Sequence, residues 1–320
     1  MAVYTQVPAE EMALFLERYA TGPLISAKGI AEGVENSNYL VETSTDRFIL
    51  TLYEKRVNEE ELPFFMDLLD HLGARGCRVP RFIADRQGVK LQQLVGRPAC
   101  LIEFLPGISV TEPTATQAHA AGAALGELHV AARDFKGTRR NTLDFDGWHD
   151  LARGCAGQLD DIAPGLRERV ERELAYLDAH WPAHLDRSII HADLFPDNVL
   201  MLGDEVTGLI DFYFSCTDIR AYDLAITHTA WCFTQDGSAY HALRGAALVA
   251  GYEQTHGLSV AERAAFPILC RGAALRFLLT RAFDWINTPA GALVTRKDPL
   301  AYLRRLDFYA AASAQELLGA

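Results

Sequence analysis

Apolar residues recur at helical spacing near the start of the chain, at Met12, Phe15, Leu16 and Tyr19. Pro8 suits a first helical turn, and Glu10 and Glu11 favour a helix N-terminus. The spacing therefore predicts an opening helix that stops at Gly22-Pro23. The pattern then changes to strands at Leu24 to Ile30, Ser37 to Thr43 and Phe48 to Tyr53, with Gly29, Gly33, Glu35-Asn36 and Ser44 to Arg47 in the turns. From about Glu59 to Arg75, Leu62, Phe65, Met66, Leu69 and Leu72 share one helical face. Two short strands follow, Val89 to Leu94 and Ala99 to Phe104, around Gly96-Arg-Pro98. The expectation is a five-stranded antiparallel sheet with one inserted helix.

Pro106-Gly107 punctuates a change of character. Thr116 to Val130 reads as a helix of small residues, Ala-Ala-Gly-Ala-Ala-Leu-Gly-Glu-Leu-His in its middle, suited to close packing. Beyond it the chain reads as helical except for hairpins near residues 187–211. The fold class expected is α+β: a small antiparallel β lobe over 1–105, with an opening helix and the nucleotide site, and a larger, mostly helical lobe over 106–320 with the catalytic loop and substrate site.

Composition narrows the class. A chain of 320 residues, 49% hydrophobic and 22% charged, buries a full core and matches a soluble globular protein. A net charge of −12 argues against a nucleic-acid partner and against docking on anionic lipid. Six cysteines, at 77, 100, 155, 216, 232 and 270, form no Cys-x-x-Cys pair. They read as reduced core thiols rather than a disulfide frame or zinc site, which fits a cytoplasmic protein. No basic segment followed by an apolar run opens the chain, so no export signal is expected. Ala264 to Phe283 is the most apolar stretch, but Arg271, Arg276 and Arg281 interrupt it, so it reads as a buried helix rather than a membrane span.

The chemistry concentrates in His191-Ala-Asp193-Leu-Phe-Pro-Asp-Asn198, followed by Leu209-Ile-Asp211-Phe212. Phosphoryl transfer needs one carboxylate to take or orient the proton of the attacking hydroxyl, and oxygen ligands to hold Mg²⁺ against the ATP phosphates. Asp193 is placed for the hydroxyl, and Asn198 and Asp211 for the metal. Arg187 to Ile190 reads as a buried strand entering this loop. Val199 to Leu202, Gly203-Asp204 and Val206 to Ile210 read as a tight hairpin that delivers Asp211 beside it. His191 positions the loop by hydrogen bonding. Gly29 to Tyr39, with Gly33, Asn36, Ser37 and Asn38, lies between strands where a flap would cover phosphates, and lacks the Gly-Lys-Ser/Thr of a Walker loop.

The set His191-Ala-Asp193, Asn198, Ile210-Asp211-Phe212 and Tyr222-Asp223-Leu-Ala225 resembles the aminoglycoside-phosphotransferase and choline-kinase superfamily, small-molecule kinases with a protein-kinase-like bilobal fold. Three longer strings, Gly29 to Leu40, His191 to Asn198 and Ala273-Ala-Leu-Arg276-Phe, resemble the bacterial homoserine kinases within it. The resemblance spans nearly the whole chain. It implies ATP as co-substrate, Mg²⁺, and a hydroxyl-bearing small molecule. It places a hinge at Cys100 to Pro106, where the backbone of Glu103 and Leu105 reads adenine. Asp223 then supports the catalytic loop, or else caps a helix from Leu224 to Cys232; His129 and His119 read as packing or surface residues. One departure stands out: Thr51 occupies the third-strand position where the superfamily has a phosphate-binding Lys, with Lys55 and Lys28 nearby.

Homoserine is a zwitterion, so its site needs a cation for the carboxylate, and a planar guanidinium is the preferred partner. Arg276 and Arg281, in an otherwise apolar helix, are the candidates, with Tyr213, Phe214, Asp218 and Trp231 as pocket walls. The expected product is O-phosphohomoserine, for threonine biosynthesis. The alternatives are another hydroxyl kinase, for choline, an aminoglycoside or a methylthio-sugar, and an inactive nucleotide-binding regulator, which Thr51 favours. The expected assembly is a monomer or homodimer.

Overall fold

The computed structural model describes residues 5–30, 36–54, 58–155, 157–288 and 296–319. It divides into two compact units, Met1–Pro106 and Gly107–Ala320.

The first unit is built from α1 (Ala9–Leu16), β1 (Leu24–Gly29), β2 (Asn36–Thr43), β3 (Arg47–Tyr53), α2 (Leu62–Ala74), β4 (Phe82–Ile83), β5 (Gln92–Leu94) and β6 (Arg97–Glu103). The strands pair antiparallel in the order β1-β2-β3-β6-β4, with β5 also on β6. The sheet has six strands rather than five, because the two-residue β4 is too short to show any alternation in sequence. Met12, Phe15 and Leu16 of α1, with Tyr19 just after it, share a buried cluster with Tyr39 and Val41 of β2 and Leu50 and Leu52 of β3. Side chains alternate along strands, so Asn38 and Thr51, paired in register, belong to the opposite face of the sheet.

The second unit runs α3 (Ala115–Ala131), α4 (Phe145–Cys155), α5 (Leu159–Ile162), α6 (Leu166–His180), β7 (Arg187–Ile190), β8 (Val199–Leu202), β9 (Glu205–Leu209), β10 (Cys216–Ile219), α7 (Arg220–Trp231), α8 (Ala242–Thr255), α9 (Val260–Asn287), α10 (Leu300–Ala311) and α11 (Ala314–Leu318). Capping boxes start α3 and α9: Thr114 with Gln117, and Ser259 with Glu262. The small residues of α3 act as their composition suggests. A Cβ on Gly122 would lie 2.0 Å from the Leu248 carbonyl oxygen of α8, and one on Gly251 of α8 would lie 2.0 Å from the His119 carbonyl oxygen. Two backbones touch there, which no larger residue permits. The 28-residue α9 runs through the unit, with Ala273, Ala274, Leu275, Leu278 and Leu279 all buried. Among the described residues no helix is long and apolar enough to cross a membrane.

Candidate active site

β7 ends at Ile190, and the chain turns sharply into the sequence-predicted loop. Ala192 adopts a left-handed φ of +64°, a conformation that costs a non-glycine residue roughly 1 kcal/mol or more. Two bonds pin it. Its N–H donates to Asp223 Oδ1 at 2.8 Å, and its carbonyl accepts from Arg276 Nη1 at 2.6 Å. Asp223 Oδ2 also accepts the backbone N–H of His191 at 2.7 Å and His129 Nε2 at 3.0 Å. Asp223 thus supports the loop. It is not a helix cap, because α7 begins at Arg220, three residues before it.

His191 is fully buried and both ring nitrogens are engaged. Nδ1 accepts the Asp193 N–H at 3.3 Å, so Nε2 carries the proton that goes to the Ile210 carbonyl at 3.0 Å. Burial holds its pKa below the usual histidine value despite the nearby Asp223. A neutral imidazole with both nitrogens committed is a brace, not a base. His129, read from sequence as a packing or surface residue, is a second brace. It is buried between Asp223 and the Tyr252 hydroxyl, 2.9 Å from its Nδ1. Its spacing from Gly122 and Gly126, on the packing face of α3, was the available signal. Burial opposes the charge on Asp223, yet the hydrogen bond and charge of His129, with His191, hold its carboxyl below the usual carboxylate value.

Asp193 follows, half-buried. Burial pushes its carboxyl up to about 8; Asp211 and Asp197 add to the rise, while Arg276 and Lys297 oppose it. Asn198 closes the loop: its amide nitrogen donates to Asp193 O at 2.8 Å and Oδ2 at 3.2 Å. That fixes the amide orientation and turns Asn198 Oδ1 away from Asp193. The next strands bring Asp211 alongside, since Ile210 N–H donates to the Asn198 carbonyl at 3.0 Å. Asp211 is exposed and left-handed at φ +63°. The loop therefore offers an amide oxygen and a carboxylate, hard donors of the kind a divalent oxygen-seeking ion takes. Among the described residues no cluster of three His, Cys, Asp or Glu stands ready for a metal.

The expected substrate residues separate into two groups. Trp231 is fully buried and donates Nε1–H to the Leu194 carbonyl at 2.9 Å, so it braces the loop instead of walling a pocket. Arg276 is 1% exposed. Its guanidinium lies 4.6 Å from the Phe277 ring centroid, and its Nη1 donates to the Ala192 carbonyl at 2.6 Å, so it also holds the catalytic loop. Asp218, on β10, is buried and accepts from Asn141 Nδ2 at 2.6 Å. Arg281, by contrast, is half-buried; it lies 4.5 Å from the Tyr302 ring centroid and donates to the Asp298 carbonyl at 3.1 Å. Tyr213 and Phe214 are half-buried in the turn after Asp211. Arg271 forms an internal ion pair, bidentate with the buried Glu173 at 2.7 and 2.8 Å.

In the first unit Thr51 is buried and donates its hydroxyl to Asn38 Oδ1 at 2.8 Å, a polar pair in an apolar sheet. Asn36 is buried, and its Oδ1 finds no partner among the described residues. Gly29 ends β1 opposite Tyr39. Gly33 and Lys55 lie outside the described residues, and Lys28 is exposed on β1. Glu103 ends β6 with Oε2 on the Arg81 backbone N–H and Nε, at 3.3 and 3.4 Å, and Leu105 follows half-buried.

Residues 26–258 match the model of a phosphotransferase enzyme family. The chain belongs to that family. Among its relatives are the homoserine kinase of Xanthobacter autotrophicus, 53% identical over 99% of this chain and 98% of that one, and the homoserine kinase of Zymomonas mobilis, 54% identical over 99% of each. Solved structures share the fold of this phosphotransferase at low identity. A spectinomycin phosphotransferase in complex with ADP and spectinomycin has a TM-score of 0.73 at 12% identity, covering 98% of this chain and 100% of that one. A choline kinase from Streptococcus pneumoniae has a TM-score of 0.62 at 16% identity, covering 90% and 94%. The α+β architecture, small antiparallel sheet and larger helical part, is the one expected from sequence.

Proposed function

We propose that this phosphotransferase moves the γ-phosphoryl group of ATP to the hydroxyl of L-homoserine, giving O-phospho-L-homoserine for threonine biosynthesis in the cytoplasm. The observation that carries this reading is the near-complete alignment, at about half identity, with relatives named homoserine kinase, over a chain whose catalytic loop is intact. An inactive regulator would need no such loop, held by Asp223, Arg276, His191 and Trp231 at once.

Asp193 accepts or orients the substrate hydroxyl proton. Asn198, which donates to its Oδ2 at 3.2 Å, fixes its direction. Asn198 Oδ1 and Asp211 would hold Mg²⁺, which when bound supplies positive charge against the ATP phosphates. Gly29, Asn36 and Asn38 of the first unit would bind phosphate oxygens, with the Asn38–Thr51 pair where the superfamily has a Lys; Gly33, assigned the same role from sequence, lies outside the described residues. The backbone at Glu103 and Leu105 takes adenine. Arg281, whose guanidinium serves a backbone carbonyl and the Tyr302 ring rather than a bidentate carboxylate, receives the homoserine carboxylate, and Tyr213 is a further candidate for the pocket wall.

The test is direct detection of product by ³¹P NMR, for the wild type and Asp193→Asn. The amide is near-isosteric but takes no proton, so product formation should fall ~10³-fold or more while the fold and ATP binding persist. Turnover near the wild-type rate would remove Asp193 from the mechanism.

A further inference from the structure

Behind the catalytic loop the helical unit holds a cavity of about 230 Å³ whose chemistry is opposite to that of the molecule. Arg133, Arg187 and Arg220 line it with His129, His256 and Thr217, and no Asp or Glu contributes to its described walls. In a chain of net charge −12, three arginines line this one cavity; Arg220 is paired with Glu262 at 2.6 Å and stands 3.8 Å from Asp186, Arg187 stands 3.3 Å from Asp218, and those carboxylates lie outside the cavity's described lining.

The guanidiniums are held from outside the cavity. Arg220 Nη2 meets the buried Glu262 at 2.6 Å, and its Nε is buried with no partner among the described residues. Arg187 Nη2 donates to the Thr217 carbonyl at 2.9 Å and stands 3.3 Å from Asp218 Oδ1. Arg133 Nη2 meets an imidazole instead, His256 Nε2 at 3.2 Å. His256 Nδ1 donates to the Gly257 carbonyl at 3.2 Å, so Nε2 is the acceptor and the ring is neutral. The wall is thus a set of fixed cationic donors with spare N–H groups, the arrangement that recognises planar or tetrahedral oxyanions. The floor includes His129, whose Nε2 bonds Asp223, which in turn holds the His191 and Ala192 N–H groups.

We propose that this cavity binds a small oxyanion, a phosphate or a carboxylate, and that its occupancy reaches the catalytic loop through His129 and Asp223. The charge pattern argues for binding; the shared histidine argues for the coupling. The site lies apart from Asp193, Asn198 and Asp211, so it adds to the proposed kinase site rather than belonging to it.

Inorganic phosphate and acetate, titrated separately at constant ionic strength with Mg-ADP saturating, provide the test, read by melting temperature and by calorimetry. Wild type should show saturable binding of at least one of them. Tighter phosphate binding identifies a phosphate monoester as the natural class, and comparable acetate binding identifies a carboxylate. Arg133→Gln and Arg187→Gln, both exposed and far from the catalytic chemistry, should need at least ~10-fold more ligand, the loss of about one charge-assisted contact. Phosphate should alter wild-type turnover and leave that of both variants unmoved. Equal binding by wild type and variants, or no saturable binding by the folded wild type, overturns the site. Binding lost in the variants but without effect on wild-type turnover overturns the coupling. Binding is read without turnover, so failure of the site stays separable from failure of the kinase reading, on which the coupling arm rests.

Discussion

Two arginines five residues apart on α9 illustrate what a sequence conveys about a single side chain. Both were recognisable as purposeful, because unpaired charges in an apolar helix are costly. Which one serves the fold was not legible, since that depends on the Ala192 carbonyl, 84 residues earlier in the chain. Arg276→Ala should strand that carbonyl and vacate a buried volume, costing about 2–4 kcal/mol of stability and lowering turnover with every substrate. Arg281→Ala should leave the melting temperature nearly unchanged and raise KM for homoserine ~10- to 100-fold, with ATP binding intact, and Arg281→Lys should recover part of it. Melting curves and steady-state kinetics on the same preparations separate the two. A stable Arg276→Ala with a raised homoserine KM would return Arg276 to the substrate site. The loop that carries Asp193, Asn198 and Asp211 was legible because their spacing is itself the signal; the place of His129 was not, because its partner Asp223 comes from another helix.

Among the elements, long periodic ones were visible and short ones were not. α1, α2, α3, the first three strands and the β8–β9 hairpin lie within a few residues of where the hydrophobic period put them. β4 and β10, two and four residues long, gave no period to read, and β10 is defined by pairing with β7, a non-local contact. α7 starts four residues before the expected Leu224, which removes the cap alternative and makes Asp223 the fourth residue of a helix, bonded to the loop as expected of a support. The α3–α8 contact is the element-scale feature most exposed to test. Gly122→Ala puts a methyl 2.0 Å from the Leu248 carbonyl oxygen, backbone that has nowhere to give. It should destabilise the protein by about 1–3 kcal/mol although alanine is the better helix former. Chemical denaturation reads the sign directly; an unchanged or raised midpoint would mean the helices separate freely.

At the scale of the whole molecule, the acidic charge, scattered cysteines and β-then-α order bounded the class, while the lining of the arginine cavity left no trace in sequence because its residues are spread from 129 to 256. Global stability should carry the mark of one buried histidine. His228 is fully buried beside Tyr309 Oη at 2.7 Å, and burial depresses its pKa to about 3. Below an unfolded pKa near ~6.5 the unfolded chain takes a proton that the folded chain refuses, so stability is complete above that pH and falls as pH drops toward 3. The slope from this group is at most about 1.4 kcal/mol per pH unit. Urea midpoints at pH 7.5 and 5 should therefore show the advantage of wild type over His228→Gln shrinking at the lower pH; a constant advantage would mean His228 is protonated in the fold. The central claim, a kinase for homoserine, is tested most directly by kcat/KM for substrate-dependent ADP release across homoserine, choline, an aminoglycoside and a methylthio-sugar. The account predicts turnover with homoserine at least ~100-fold above the others, abolished by Asp193→Asn. Comparable or greater turnover with any of the other three, or none with homoserine by a folded, ATP-binding protein, would contradict it.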